Sequence, residues 1–245
     1  MSLLEHCLIP DWPAPRNVRS LQTTRNGGVS AAPYHSFNLG SQVGDAPLAV
    51  ARNRVLLQPL LPTEPVWLQQ THGTVAVDAA QADCLPQADA CFSSHPGAVC
   101  VVMSADCLPV LLCDQSGSVV AAAHAGWRGL CAGVLEHTVR NMGVPPATLL
   151  AWLGPAIGQA AFEVGEEVRT AFVQQQPAAA AAFSAGAAGK WHADIYHLAR
   201  LRLAALGVTQ IHGGGWCTHT DSTRFFSHRR DGASGRMGTF IWKEA

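Results

Sequence analysis

The 245-residue chain has little charge: 13% of its residues are Asp, Glu, Lys or Arg, and the net charge is −1 with a pI near 6.8. It has no basic stripe and no run of like charges, which argues against nucleic acid and anionic membrane as partners. It also lacks a stretch of about 18 uninterrupted apolar residues, the length that a membrane-spanning helix requires. Even the apolar segment 98–113 is broken by Ser104, Asp106 and Pro109. The first dozen residues carry Glu5, His6, Pro10 and Asp11 and have neither the cationic start nor the apolar centre of a secretory signal, so a cytoplasmic protein is expected. No linker-like or Ser-rich segment divides the chain. Residues 1–245 therefore read as one α+β domain.

Nearly half the residues, 48%, are hydrophobic, enough for a sizeable core. The eight cysteines read as reduced thiols serving mostly as small apolar residues, since nothing in the sequence directs the chain to an oxidising compartment. The pattern predicts a strand within 18–30 before a turn at Asn26-Gly27-Gly28. It predicts a helix over 47–60, N-capped by Asp45, with Leu48, Val55, Leu56 and Leu60 inward. Strands are expected at 66–69 and 74–78 around a Thr71-His72-Gly73 corner. Three buried strands should follow at 98–103, 108–113 and 118–123, the last two joined by a turn at Asp114-Gln115-Ser116-Gly117. Helices are expected at 128–142, 163–176 and 194–206, and strands at 149–153, 224–228 and 237–242. The Ala-rich stretch 177–189 reads as a short helix or a loop.

Three islands carry the chemistry: Gln69-Gln70-Thr71-His72-Gly73, Ser104-Ala105-Asp106-Cys107-Leu108-Pro109 and His124-Ala125-Gly126-Trp127-Arg128-Gly129. Two imidazoles and a thiolate make three soft ligands, and zinc held by three protein ligands keeps a fourth position open for water or substrate. The same residues also suit a metal-free hydrolase, with Cys107 as nucleophile and His124 as its base. A multicopper cluster has little support, because the 11 histidines form no His-x-His pair. Asp106, beside a thiol and between apolar runs, needs a cation or donors near it and is a candidate acid/base or supporting group. Arg25 beside the Gly turn, and Arg128 at a helix start, are candidates for an anionic group, while Arg229 and Arg230 are placed in a hairpin loop. The segment Ala82-Asp83-Cys84-Leu85-Pro86 repeats the Cys107 motif in a loop-like setting, and Cys84 is read as a decoy.

The islands, with Thr24-Arg25-Asn26-Gly27-Gly28, Phe37-Asn38-Leu39-Gly40, Ala88-Asp89-Ala90, Gly154-Pro155-Ala156-Ile157-Gly158 and Phe225-Phe226-Ser227-His228-Arg229-Arg230-Asp231-Gly232, resemble the bacterial YfiH-like family over most of the chain. That family is variously labelled a laccase-like polyphenol oxidoreductase, a peptidoglycan-editing factor and a purine nucleoside phosphorylase. The resemblance implies a layered α+β sandwich of mixed sheets flanked by helices, distantly similar to a toxin deamidase with a Cys–His pair. It implies zinc held by His72, Cys107 and His124, with copper as the alternative metal. It also implies phosphorolysis of adenosine, inosine and methylthioadenosine with some adenosine deamination, or hydrolytic editing of cell-wall precursors. Arg25, Asn38 and Arg128 are then expected to meet phosphate or ribose. The expected partners are a nucleoside and phosphate, and the expected state is a monomer or weak homodimer.

Overall fold

A computed structural model describes residues 3–244; Met1, Ser2 and Ala245, the ends of the expected domain, lie outside the described residues. In chain order the elements are β1 (Cys7–Leu8), β2 (Val18–Thr23), α1 (Pro47–Leu57), β3 (Ala76–Asp78), β4 (Ala90–Ser93), β5 (Cys100–Ser104), β6 (Leu108–Asp114), β7 (Val120–Ala125), α2 (Trp127–Ala132), α3 (Val134–Met142), β8 (Leu149–Leu153), β9 (Glu163–Gly165), α4 (Glu166–Gln175), β10 (Phe183–Ala185), β11 (Lys190–Ala193), α5 (Ile195–Ala205), β12 (Gln210–Gly213), α6 (His228–Asp231) and β13 (Met237–Lys243). They form a six-stranded sheet in the order β12-β8-β6-β7-β4-β3, a four-stranded sheet β1-β2-β13-β5 and a small sheet β10-β11-β9. Within the large sheet β12–β8 and β3–β4 pair in parallel and the other pairs are antiparallel, so the sheet is mixed. The α+β class read from the sequence is the class observed. Among the described residues no helix is long and apolar enough to cross a membrane.

Strand alternation sets the layers. Successive side chains point to opposite faces. Leu108, Val110 and Leu112 of β6, with Ala121, Ala123 and Ala125 of β7, therefore pack on the side of α3 and α5. Leu111, Cys113, Val120 and Ala122 point the other way, onto Cys100 and Val102 of β5 and Ile241 of β13. The far face of the four-stranded sheet packs Leu21, Val101 and Phe240 against Phe37, Leu39, Trp67 and Leu57 of α1. His124 is one residue out of phase with Ala123 and Ala125. Alternation thus turns it away from the helices, towards the second sheet.

Several expectations change. Helix α1 buries Val50, Asn53 and Leu57, while Leu48 is 85% exposed and Val55 55%. A polar residue sets its face: Asn53 Nδ2 donates to Ser30 Oγ and to the carbonyls of Ser36 and Asn38, and its Oδ1 accepts from Val29 N. Asp45 is not the cap. Ala46 is, and the Asp45 carboxylate instead accepts from Ser30 and Asn38. Segment 66–69 forms only isolated pairings of Val66 with Cys100 and of Gln69 with Gln87, because Trp67 and Leu68 enter two different cores. The helix expected over 128–142 is two helices. Gly133 at φ +103°, a conformation that costs a residue with a Cβ dearly, separates α2 from α3. Residues 163–165 pair with β11 before α4 begins. The Ala-rich stretch is a 3₁₀ turn, Pro177–Ala182, followed by β10. Residues 224–228 are not a strand. Phe225 and Phe226 are buried with Ala105 and Met237, and the Ser227 hydroxyl accepts from Arg230 N to start α6, so Arg229 and Arg230 lie on a short helix rather than a hairpin loop.

Candidate metal centre

His72, Cys107 and His124 come together. One donor atom from each lies within 4.8 Å of the others, although the residues come from a loop, a turn and a strand end. Cys107 Sγ is 3.7 Å from His72 Nε2, and the two imidazoles meet edge to face with centroids 4.9 Å apart. His72 is exposed, Cys107 half-buried and His124 buried, so the cluster opens to solvent on one side. The three ligands proposed from the islands are therefore assembled by the fold.

One carboxylate organises two of the three donors. Asp89, immediately before β4 and fully buried, accepts from His124 Nδ1 at 2.8 Å. It also accepts from the backbone N–H of Thr71 (3.0 Å), His72 (2.9 Å) and Gly73 (2.6 Å), so the same group shapes the His72 corner. Burial works against its ionised form, but the His124 imidazole and the Gly73 and Thr71 N–H groups outweigh burial and hold its pKa below the usual value. A partner on Nδ1 leaves His124 Nε2 to face the cluster, the arrangement common to metal-bound histidines. Gln70 locks the same loop to the end of β5, donating to Met103 O at 2.8 Å and accepting from Met103 N at 2.7 Å. Asp89 and Gln70 had no assigned role in the sequence reading. The sequence signal for Asp89 was an acid between two small residues, Ala88 and Ala90.

Backbone conformation completes the cluster. His72 at φ 61° and Asp106 at φ 92° are non-glycine residues in the left-handed region, a strain that the surroundings must hold. Asp106 Oδ1 accepts from Thr218 Oγ1 and Oδ2 from Arg229 N, both at 2.6 Å, while its carbonyl accepts from Ile157 N. Both carboxylate oxygens thus anchor the Cys107 turn. Gly126 provides clearance: a Cβ there would lie 2.7 Å from His72 Cδ2 and 3.1 Å from Cys107 Sγ. The electrostatics are those of a thiolate among imidazoles. Burial would raise the Cys107 thiol, but His124 and His72 more than offset it and bring the pKa down to about 6. Burial would lower His124, but Cys107 and Asp89 raise it to about 9. All eight cysteines are free, and Cys84 is exposed.

The cluster is the floor of a cleft of about 420 Å³, within the range of small-molecule sites. Arg128, His228 and Arg236 also border it. The other anticipated substrate residues are elsewhere. Arg25 is not in the cleft wall; it donates to the carbonyls of His35 and Ser222 and lies over the Phe226 ring. Asn38 is fully buried beneath the cleft, accepting from Gly40 N and Arg236 N through Oδ1.

A Cys–His₂ donor set at the edge of a mixed sheet, opening into a small-molecule cleft, defines an α+β protein with a candidate metal centre. Residues 19–244 match the family model described as multi-copper polyphenol oxidoreductase laccase, and the chain belongs to this laccase-like, YfiH-type family. A Pseudomonas aeruginosa relative named purine nucleoside phosphorylase is 56% identical over 236 residues, covering 96% of this chain and 97% of the relative. The purine nucleoside phosphorylase YfiH of Escherichia coli is 53% identical, covering 96% and 98%. The crystal structure of a Neisseria meningitidis protein superposes with a TM-score of 0.95 at 52% identity, covering 98% of this chain and all of the other. YlmD from Geobacillus stearothermophilus superposes at 0.89 with 30% identity, covering 95% and 94%.

Proposed function

We propose that residues 1–245 act as one cytoplasmic, zinc-dependent purine nucleoside phosphorylase on adenosine, inosine and methylthioadenosine, with adenosine deamination as a side activity. The observation that carries this is the convergence of His72, Cys107 and His124 on the floor of the cleft. The names of the relatives supply the reaction class. The donor set fits zinc: a thiolate and two imidazoles are soft to borderline ligands, and the Asp89–His124 hydrogen bond supplies the expected outer partner. Bound zinc supplies a Lewis acid that polarises an oxygen of phosphate or water. In phosphorolysis a phosphate oxygen forms the bond to the sugar C1′ as the C1′–N9 bond breaks, and the base leaves with that electron pair and takes up one proton. The residues of the chain bind and orient these partners. Asp89 fixes both histidines, Asp106 fixes the Cys107 turn, and Arg128 and Arg236 give the cleft positive charge. The reading takes the protein to be a monomer or weak homodimer without nucleic-acid or membrane partners.

A second reading draws on the 3.7 Å approach of Cys107 Sγ to His72 Nε2, which also suits a cysteine hydrolase editing cell-wall precursors. Copper polyphenol oxidation has less support, since among the described residues one cluster of this kind is found and it offers three donors. Incubation with adenosine and phosphate, with products separated by chromatography, distinguishes these readings. Adenine and ribose 1-phosphate from the native protein and none from His124→Ala or after chelation support the phosphorylase. Full activity in Cys107→Ala removes both the zinc and the nucleophile readings, and no product from the native protein with zinc confirmed bound favours the hydrolase.

A further inference from the structure

Two cavities meet at Cys107. The first is the cleft described above, whose wall carries Arg128, Arg236 and three imidazoles but no carboxylate among the described residues. The second, of about 250 Å³, shares Ala105, Cys107, Arg128 and His228 with it and is otherwise walled by Trp127, Ile157, Phe162, Ile195, Asp106 and Arg229, whose guanidinium lies over the Phe162 ring, 5.6 Å from its centroid. Both oxygens of Asp106 already accept hydrogen bonds, from Thr218 Oγ1 and Arg229 N, so the carboxylate has structural partners within the protein. The first side of Cys107 thus carries cations and no acid, whereas the second sets its polar groups against an apolar wall of Trp127, Ile157, Phe162 and Ile195.

Arg236 is the fixed cation of the polar side. Its backbone N–H donates to Asn38 Oδ1 at 2.8 Å, and its Nη1 donates to the carbonyls of Ser234 and Gly235. Its stem crosses Gly40, where a Cβ would lie 2.8 Å from Arg236 Cγ. Nε and Nη2 have no hydrogen-bond partner, and no carboxylate pairs with the guanidinium, among the described residues. Burial lowers its pKa, and the charges of Cys107 and Asp106 act against this too weakly to reverse it. A half-buried, held guanidinium with an open edge and no counterion is suited to an oxyanion, which takes two N–H donors side by side. Next to it Ser104 borders the cleft with a buried hydroxyl that has no partner, a group that a ligand oxygen would satisfy. Arg128 differs: its guanidinium lies over the Trp127 ring, 4.5 Å from the centroid, at the seam between the cavities.

We propose that the substrate lies across Cys107 in one sense, with its phosphate against Arg236 and Ser104 and its heteroaromatic base in the chamber of Trp127, Ile157 and Phe162. The identity of the two ligands rests on the phosphorylase reading; the placement of an anion at Arg236 does not. An aromatic chamber suits a purine because every base offers a π-face for stacking.

The test uses the metal-loaded protein with inorganic phosphate and adenosine as separate probes. Arg236→Gln is expected to weaken phosphate binding by calorimetry, and to raise the KM for phosphate, by about tenfold or more, with the KM for adenosine changed less than about twofold. Phe162→Ala is expected to do the reverse, and Arg236→Lys to fall between native and Arg236→Gln. If the Gln variant misfolds, the native protein still decides: phosphate should protect Arg236 from phenylglyoxal, read by peptide mass spectrometry. Unchanged phosphate binding in a folded Arg236→Gln protein, or no protection, overturns the anion site. A Phe162→Ala protein whose defect lies in phosphate overturns the orientation. If the native protein turns over no nucleoside, the phosphorylase reading fails, and phosphate calorimetry still reports on Arg236.

Discussion

Asp89 bonds the ring of His124 and the backbone of His72 with a single buried carboxylate, so two of the three donors depend on one side chain. Asp89→Asn replaces one acceptor oxygen with an amide that faces N–H groups. It is expected to weaken zinc binding about 10–100-fold in a competition titration with a chromophoric chelator, the usual effect of losing such a partner. Gly126→Ala tests the clearance behind the cluster. Its Cβ would crowd both His72 and Cys107, so purified protein should show native far-ultraviolet circular dichroism but a metal content well below one per chain. An unchanged metal content in Gly126→Ala would show that the donors can shift to make room. At this scale the sequence showed the ligands, because His, Cys and Gly stand out in short motifs. It offered Asp106 as a supporting group but not Asp89, which is 17 residues from His72 and 35 from His124.

Elements show where local rules hold and where tertiary contacts override them. The β6–β7 turn follows the sequence expectation. Gly117 N donates to Asp114 O, and the Asp114 carboxylate accepts from Ser116, Ser118 and Val119. Burial opposes its ionisation, but the Ser116, Val119 and Ser118 donors outweigh burial and depress its pKa. A depressed carboxylate stabilises the fold above its unfolded pKa of about 3.9 and loses that contribution as pH falls through the folded value. The melting-temperature gap between native protein and Asp114→Asn should therefore be widest from neutral pH down to about pH 4 and narrow below it. Helix α1 is the opposite case. Its apolar pattern pointed to Leu48 and Val55, but the buried Asn53 turns the helix, since a polar side chain with four partners cannot leave them unsatisfied cheaply. Asn53→Ala should cost about 2–4 kcal/mol in denaturant unfolding, whereas Leu48→Ser should stay within about 0.5 kcal/mol of native.

At the scale of the whole molecule, an ion bound at this site would be linked to the fold. The three donors belong to a loop before β3, the β5–β6 turn and the end of β7, so an ion held by them ties together segments of both large sheets. Chelation should abolish phosphorolysis and lower the melting temperature by roughly 5–15 °C, the size expected when a ligand at about 100–1,000 times its Kd is removed, and added zinc should restore both. An unchanged melting temperature after verified metal loss would show that the fold does not depend on the ion.

The sequence by itself determined the class of fold, the central strands and the three donors. Buried strands are written as short apolar runs, and His72, Cys107 and His124 each stand in a short distinctive motif among 11 histidines and eight cysteines. The tertiary structure alone decided that the donors meet, that Arg25 and Asn38 stay out of the cleft wall while Arg236 enters it, and which face of α1 is buried. Each of these depends on contacts between residues far apart in the chain, and no local pattern encodes a distance across two sheets.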